Sequence, residues 1–288
     1  MVGVRAFCTI NRRAHDQSAP IVSNRKKYMS IQAIIFDLDE TLITDDEATY
    51  QALEQVGAYA HELAGVDGEL LARTAYEHAQ RMWVRGPAFQ YCEMLGISAS
   101  EGLWGRFESS NVYLQTLHDW VPSYRREVWR HALEQQGVDD ASLVERLAEL
   151  FRARRIACQR LFPEATAVLQ ALHHDYKLAL LTNGAPDLQH EKINHFQLAP
   201  YFEVIVVSGE VGVGKPQPAI FQTVLKRLEV APQNAIMVGD SLERDIKGAY
   251  QSGLKGVWVN RHGLPREPGY ETFVYAEIAG LDELEHAL

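Results

Sequence analysis

The sequence predicts an α/β fold: a doubly wound, Rossmann-like parallel sheet interrupted by an inserted all-helical cap domain. Three observations carry that expectation. Apolar strand-like runs alternate with helical patterns over residues 30–45 and again beyond about residue 160, an arrangement that builds βαβ units. Residues 46–158 show only helical periodicity. Two strand-like runs end in aspartate, at Asp37 and Asp240, and open α/β sheets bind ligands at the carboxyl ends of their strands.

In chain order, the first 28 residues come first and stand apart. They hold Arg5, Arg12, Arg13, Arg25, Lys26 and Lys27 against the single acid Asp16, a formal +5 that leaves −15 on the rest of a chain totalling −10. Lacking any periodicity and followed by Met29, they read as a disordered basic leader or a start-site artefact. A transit peptide is a third reading, against which serine is sparse, and no apolar signal-peptide region exists. The catalytic core is expected over 29–45 and 159–288, with the cap over 46–158.

Ile34-Ile35-Phe36 reads as a buried strand that ends abruptly in Asp37 and Asp39. Two like charges so close together are costly to bury unless a cation or a reaction uses them. In the insert, Leu53, Val56, Ala60 and Leu63 give helical spacing over Ala48–Leu63, and Glu69–Val84, Ser123–Gln135 and Ala141–Arg155 read similarly. Gly65, Gly86-Pro87, Gly96, Pro122 and Gly137 are the expected breaks. Beyond it, helices are expected at Glu164–His173, Leu188–Phe196, Ala219–Leu228, Ile246–Ser252 and from Leu281. Strands are expected at Lys177–Thr182, Val204–Val207, Ala235–Val238, Gly256–Val259 and Phe273–Val274.

At 288 residues and 47% hydrophobic content, the chain is long enough for two domains. Cys8, Cys92 and Cys158 are scattered, with neither a disulfide framework nor a metal spacing, which suits a reducing, cytoplasmic setting. The acidic body argues against nucleic acid and anionic membranes as partners, and no apolar run approaches a membrane span. Nothing in the pattern sets an oligomeric state.

Asp37-Leu38-Asp39-Glu40-Thr41 resembles the first signature, Asp-x-Asp-x-Thr, of the haloacid dehalogenase superfamily. Three further elements follow in the superfamily's order: the strand Leu178–Leu181 ending in Thr182-Asn183-Gly184, the isolated lysine of Gly214-Lys215-Pro216, and Ile236-Met237-Val238-Gly239-Asp240 with Asp245 five residues on. The insert resembles the helical C1 cap of that superfamily, a lid that can exclude water and carry substrate-reading groups. The details look most like the branch that includes N-acylneuraminate-9-phosphatase, pyrimidine nucleotidases and bacterial proteins assigned as phosphoserine phosphatases.

The resemblance implies a Mg²⁺-dependent phosphatase acting on a small phosphomonoester through an aspartyl-phosphate. Asp37 would be the nucleophile and Asp39 the general acid and base. Mg²⁺ would be held by Asp37, Asp240 and the main-chain carbonyl of Asp39. Thr182, Asn183 and Lys215 would bind the phosphoryl oxygens, Lys215 as a point charge that counts as catalytic too. Asp245 would orient Lys215 or metal-bound water, though it also suits the first turn of a helix. Thr41 would support the loop. The acid at Asp39 points away from dehalogenases, whose halide leaving group needs no proton. A sugar phosphomutase and a non-catalytic phosphate-binding protein are the alternatives.

Other patterns carry less. Gly209–Lys215 matches the start of a phosphate-cradling P-loop, but Pro216 replaces the Ser/Thr that would hold Mg²⁺, and the residue before a proline resists the helical conformation required there. His190 and His195 lack partners at zinc spacing and read as helix-surface or packing residues, and His173-His174 as a helix end. In the insert, Arg81, Trp83, Arg85, Trp104 and Arg106 are candidate substrate readers, with buried tryptophans and surface arginines the commoner outcome.

Overall fold

The computed structural model describes residues 31–266 and 268–288, so the expected leader over 1–28 lies outside the described residues. The chain enters through strand β1 (Ala33–Phe36) and the short β2 (Ile43–Thr44). It then runs through six helices: α1 (Asp46–Ala64), α2 (Gly68–Trp83), α3 (Phe89–Leu95), α4 (Ala99–Trp104), α5 (Val112–Glu134) and α6 (Ala141–Cys158). It returns through β3 (Arg160–Leu161) and alternates thereafter: α7 (Ala165–Leu172), β4 (Lys177–Thr182), α8 (Pro186–His195), β5 (Val204–Val207), the single turn α9 (Ser208–Val211), α10 (Pro218–Leu228) and β6 (Ala235–Gly239). A π-helical turn over Leu242–Lys247 leads into α11 (Gly248–Gln251), then β7 (Lys255–Val259), β8 (Val274–Ile278) and a closing 3₁₀ segment over Leu281–Ala287.

Six strands form one parallel sheet in the order β5-β4-β1-β6-β7-β8. The chain extends to one side of β1 with β4 and β5, and to the other with β6, β7 and β8, so β1 is the topological switch point. Alternation along the buried strands feeds two cores. Ile34 and Phe36 join Leu180, Val238 and α7 on one face, while Ile35 joins Ala179, Met237 and α10 on the other.

The six inserted helices form a cap with an apolar core of its own, rich in aromatics: Trp83, Trp104, Tyr124, Trp129 and Phe151. Entry to and exit from the cap are joined by antiparallel pairing of β2 with β3, Ile43 opposite Leu161 and Thr44 opposite Arg160. No helix among the described residues is long and apolar enough to cross a membrane.

The cap departs from expectation in two places. α5 begins at Val112 and passes through Pro122, which was expected to end a helix. A mid-helix proline loses one hydrogen bond and crowds a carbonyl, but the buried stripe Leu114, Leu117, Val121, Tyr124, Val128 continues across it, and α5 packs on α2 and α6. Its start is set by Asn111, whose side chain accepts from the Tyr113 and Leu114 amides. The short helices α3 and α4 were not anticipated either. α4 opens on a capping box in which Ser98 and Glu101 satisfy each other's amides. In the core, β8 lies at Val274–Ile278, one residue beyond the expected start and longer, and the terminal segment is 3₁₀.

Candidate active site

The strand ends assemble the site. β1, β4 and β6 are neighbours in register, Phe36 lying between Leu180 and Val238, and the Asp37 amide donates to the Val238 carbonyl at 2.9 Å. Asp37 and Asp240 therefore emerge from adjacent strands. The Trp258 indole donates to the Asp240 carbonyl at 2.7 Å and fixes that turn. Gly239 is required by crowding: a Cβ there would overlap the Asp245 carboxylate.

Lys215 arrives on the loop before α10. Its backbone is gripped by the Asn183 side chain, which accepts from the Lys215 amide at 2.8 Å and donates to its carbonyl at 2.9 Å. The ammonium, almost fully buried, lies 2.6 Å from Asp37 Oδ1 and 2.7 Å from Asp245 Oδ1. Asp245 Oδ2 accepts from the Ser241 amide at 3.0 Å. Both oxygens of this fully buried acid are thus engaged, one by Lys215 and one by the Ser241 amide.

Asp37, Asp240 and Asp245 each bring a carboxylate oxygen to within 4.8 Å of the others. Burial pushes Asp37 up to about 6, with Lys215 pulling it down and Asp245 adding to the rise. Asp240 is raised well above the ordinary carboxylate range by burial and by the charges of Asp245 and Asp37. Three acids against one lysine form a hard-oxygen, net-negative cluster, which fits a small divalent cation such as Mg²⁺. Asp245 has both oxygens engaged, by Lys215 and by the Ser241 amide, which leaves Asp37 and Asp240 as the better placed cation ligands.

Asp39 occupies a separate charge cluster. Its Oδ1 accepts from Lys192 Nζ at 2.8 Å and its Oδ2 from Gln189 Nε2 at 3.1 Å. Burial raises it to about 6, with Lys192 opposing and Asp45 reinforcing the shift. Lys192 also lies 2.9 Å from Asp45 and 3.9 Å from Glu101 on α4. Arg155, fully buried at the end of α6, pairs with Asp45 and donates from Nε to Thr49 at 2.9 Å.

Sequence reasoning missed Gln189, Lys192, Asp45, Glu101 and Arg155. The signal for the first two was present: Leu188, Gln189, Lys192 and Ile193 share the buried stripe of α8, and an amide and a lysine on an inward face ask for buried partners. Of the remaining expected residues, Thr182 is buried at the end of β4 and lines the cavity with Asn183. Thr41 is buried too. Its hydroxyl has no partner among the described residues, while its carbonyl accepts from Arg261 at 3.0 Å.

The cavity holds about 300 Å³. Its floor is Asp37, Asp39, Thr182, Asn183, Lys215 and Asp240, and its cap wall is Tyr76, Gln80, Ser98, Ser100 and Glu101. The cap residues singled out from sequence are elsewhere. Trp83 and Trp104 are in the cap core, Arg81 and Arg106 pair with Glu77 and Glu108 at the surface, and Arg85 is exposed. His190 pairs with Glu210 across 2.7 Å on the surface of the core.

The chain is 38% identical over 239 residues to a phosphoserine phosphatase of Thermus thermophilus, covering 83% of this chain and 92% of that one. It is 30% identical over 236 residues to the N-acylneuraminate-9-phosphatase of Rattus norvegicus, covering 81% and 84%. A 2-haloacid dehalogenase from Pseudomonas syringae superposes with a TM-score of 0.55 at 26% identity, over 89% of this chain and 97% of that one. The haloacid dehalogenase-like hydrolase family model matches residues 31–253, and the chain belongs to this hydrolase family.

Proposed function

We propose that the protein is a Mg²⁺-dependent phosphatase that hydrolyses a small phosphomonoester through an aspartyl-phosphate on Asp37. The supporting observation is convergence on one cavity: Asp37 and Asp240 share a potential cation site, Lys215 points into it, and Asp39 faces the same space. The phosphatase names of two relatives agree with this reading.

The chemistry follows from the groups. A carboxylate oxygen of Asp37 attacks phosphorus, and Lys215, the Thr182 hydroxyl and the Asn183 main-chain amide hold the phosphoryl oxygens, the Asn183 side chain being committed to Lys215. Asp39 gives its proton to the departing ester oxygen as the P–O bond breaks. It then takes a proton from the water that attacks the acyl phosphate, releasing inorganic phosphate and restoring both acids. Mg²⁺ on Asp37 and Asp240 would screen the repulsion between the anionic nucleophile and the phosphate dianion. A partly buried acid beside the nucleophile suits an ester oxygen that needs a proton. A halide leaving group needs none, so the dehalogenase likeness is one of fold.

The substrate candidates are phosphoserine, a sugar phosphate or a nucleoside monophosphate. The first test is hydrolysis of p-nitrophenyl phosphate with and without Mg²⁺. Turnover abolished by EDTA and absent in Asp37→Asn is expected, and full turnover in Asp37→Asn would overturn the assignment. Ranking the three substrate classes by kcat/KM then names the substrate.

A further inference from the structure

Each acid of the Asp37/Asp39 pair has its own buried lysine. Lys215 serves Asp37, and the second cation, Lys192, reaches Asp39 from α8. We propose that Lys192, together with Gln189, is a positioning residue that fixes the Asp39 carboxylate toward the leaving-group oxygen of the substrate, a role that rests on the phosphatase reading above.

Lys192 Nζ holds Oδ1 of Asp39 at 2.8 Å and Gln189 Nε2 holds Oδ2 at 3.1 Å, so the carboxylate is gripped at both ends and cannot swivel about its Cβ–Cγ bond. Each oxygen keeps a further lone pair on which a proton can sit. Gln189 is itself anchored, since its amide also donates to the Asn183 carbonyl at the end of β4. The grip is therefore referenced to the same loop that binds the phosphoryl group.

A purely structural role accounts poorly for this arrangement. Asp45, the residue before α1, already has Arg155 as a partner, supported by Thr49, so neutralising it does not require a second buried cation. Asp39 keeps 26% of its side chain exposed to the cavity, whereas Lys192 keeps 1%. Water could solvate that carboxylate without a lysine, while burying an ammonium is costly. What Lys192 adds is a fixed direction. Trp104 of the cap lies across the same cation, its ring centroid 5.8 Å from Nζ, and closes that side to solvent.

Paired substrates test the proposal. Glycerol 2-phosphate releases an alkoxide that must be protonated, whereas 2,4-dinitrophenyl phosphate releases a stable phenolate that leaves without a proton. In Lys192→Met, kcat/KM for the alkyl ester is expected to fall about 30–100-fold, a partial loss of the roughly 100–10,000-fold that general-acid catalysis supplies, while the dinitrophenyl ester changes by less than about threefold. Thermal unfolding reports whether the variant is folded. If it is not, Gln189→Leu, which removes a neutral partner only, carries the test with an expected split of about 3–10-fold. Equal losses on both esters in the folded variant would overturn the proposal and leave a structural role. A wild-type protein that hydrolyses neither ester would overturn the phosphatase reading itself, a distinct result.

Discussion

Replacing Lys215 with methionine removes the cation that pairs, among the described residues, with Asp37 and Asp245, while keeping a side chain of similar length. At 2.6 Å from Asp37 and an effective dielectric of 20, each lost contact is worth about 6 kcal/mol before desolvation is counted. Desolvation offsets much of that, and breaking a buried pair typically costs about 3–5 kcal/mol because the partner stays buried and unpaired. For a chain of this size, with roughly 2.1 cal/mol/K of unfolding entropy per residue, that corresponds to a fall in Tm of roughly 5–8 °C. The deficit depends on pH with a definite sign. Asp37 sits at about 6 in the folded state against an ordinary 3.8, so its contribution favours folding at low pH and is lost as pH rises from about 4 through 6. Lys215 opposes that rise, and its removal pushes Asp37 further up. Thermal unfolding in EDTA is therefore expected to show a small Lys215→Met deficit at pH 5 and the full deficit at pH 8, with Mg²⁺ restoring part of it. Equal Tm values for wild type and variant at pH 8 in EDTA would refute the electrostatic account.

Three further outcomes are expected. Asp240→Asn should abolish the Mg²⁺-induced rise in Tm and lower turnover by more than the roughly 10–100-fold seen when only a partner outside the metal ligands is lost; unchanged metal dependence would exclude Asp240 as a ligand. Because Asp37 is raised to about 6 and Asp240 well above the ordinary carboxylate range without a cation, protons compete with Mg²⁺, and calorimetry should show the affinity falling about tenfold per pH unit below pH 6 as Asp37 protonates. Affinity that is flat between pH 5 and 7 would contradict this. Gly239→Ala places a methyl group on the Asp245 carboxylate, an overpacking worth about 1–3 kcal/mol, and should lower both Tm and kcat by loosening Lys215; full activity at wild-type Tm would show that Asp245 can move freely.

The core was legible because its signals are local. A buried parallel strand is a continuous apolar run, and Lys177–Thr182 and Val204–Val207 lie where hydrophobicity alone puts them. The acids at strand ends follow from the same runs, but that Asp37 and Asp240 come together was implied only by the family resemblance, and the pairing of β1 with β6 makes them neighbours. In the cap, pattern and punctuation disagree. Pro122 argues for a break, yet the stripe from Leu114 to Val128 persists through it, and tertiary packing decides. The surroundings of Asp39 were not legible, since the cluster around it draws on residues 45, 101, 155, 189 and 192 in four separate segments. No single window shows that Lys192 turns inward to meet three acids. Only the stripe of α8 hints at it.

The account stands most directly on covalent capture of phosphorus by Asp37. Quenching the enzyme in acid during turnover of a phosphomonoester, reducing with borohydride and mapping the peptides by mass spectrometry distinguishes an acyl phosphate from a free carboxylate. Conversion of Asp37, and of no other acid, to homoserine is the predicted result. An unmodified Asp37 under steady turnover, or modification at Asp39 instead, would contradict it.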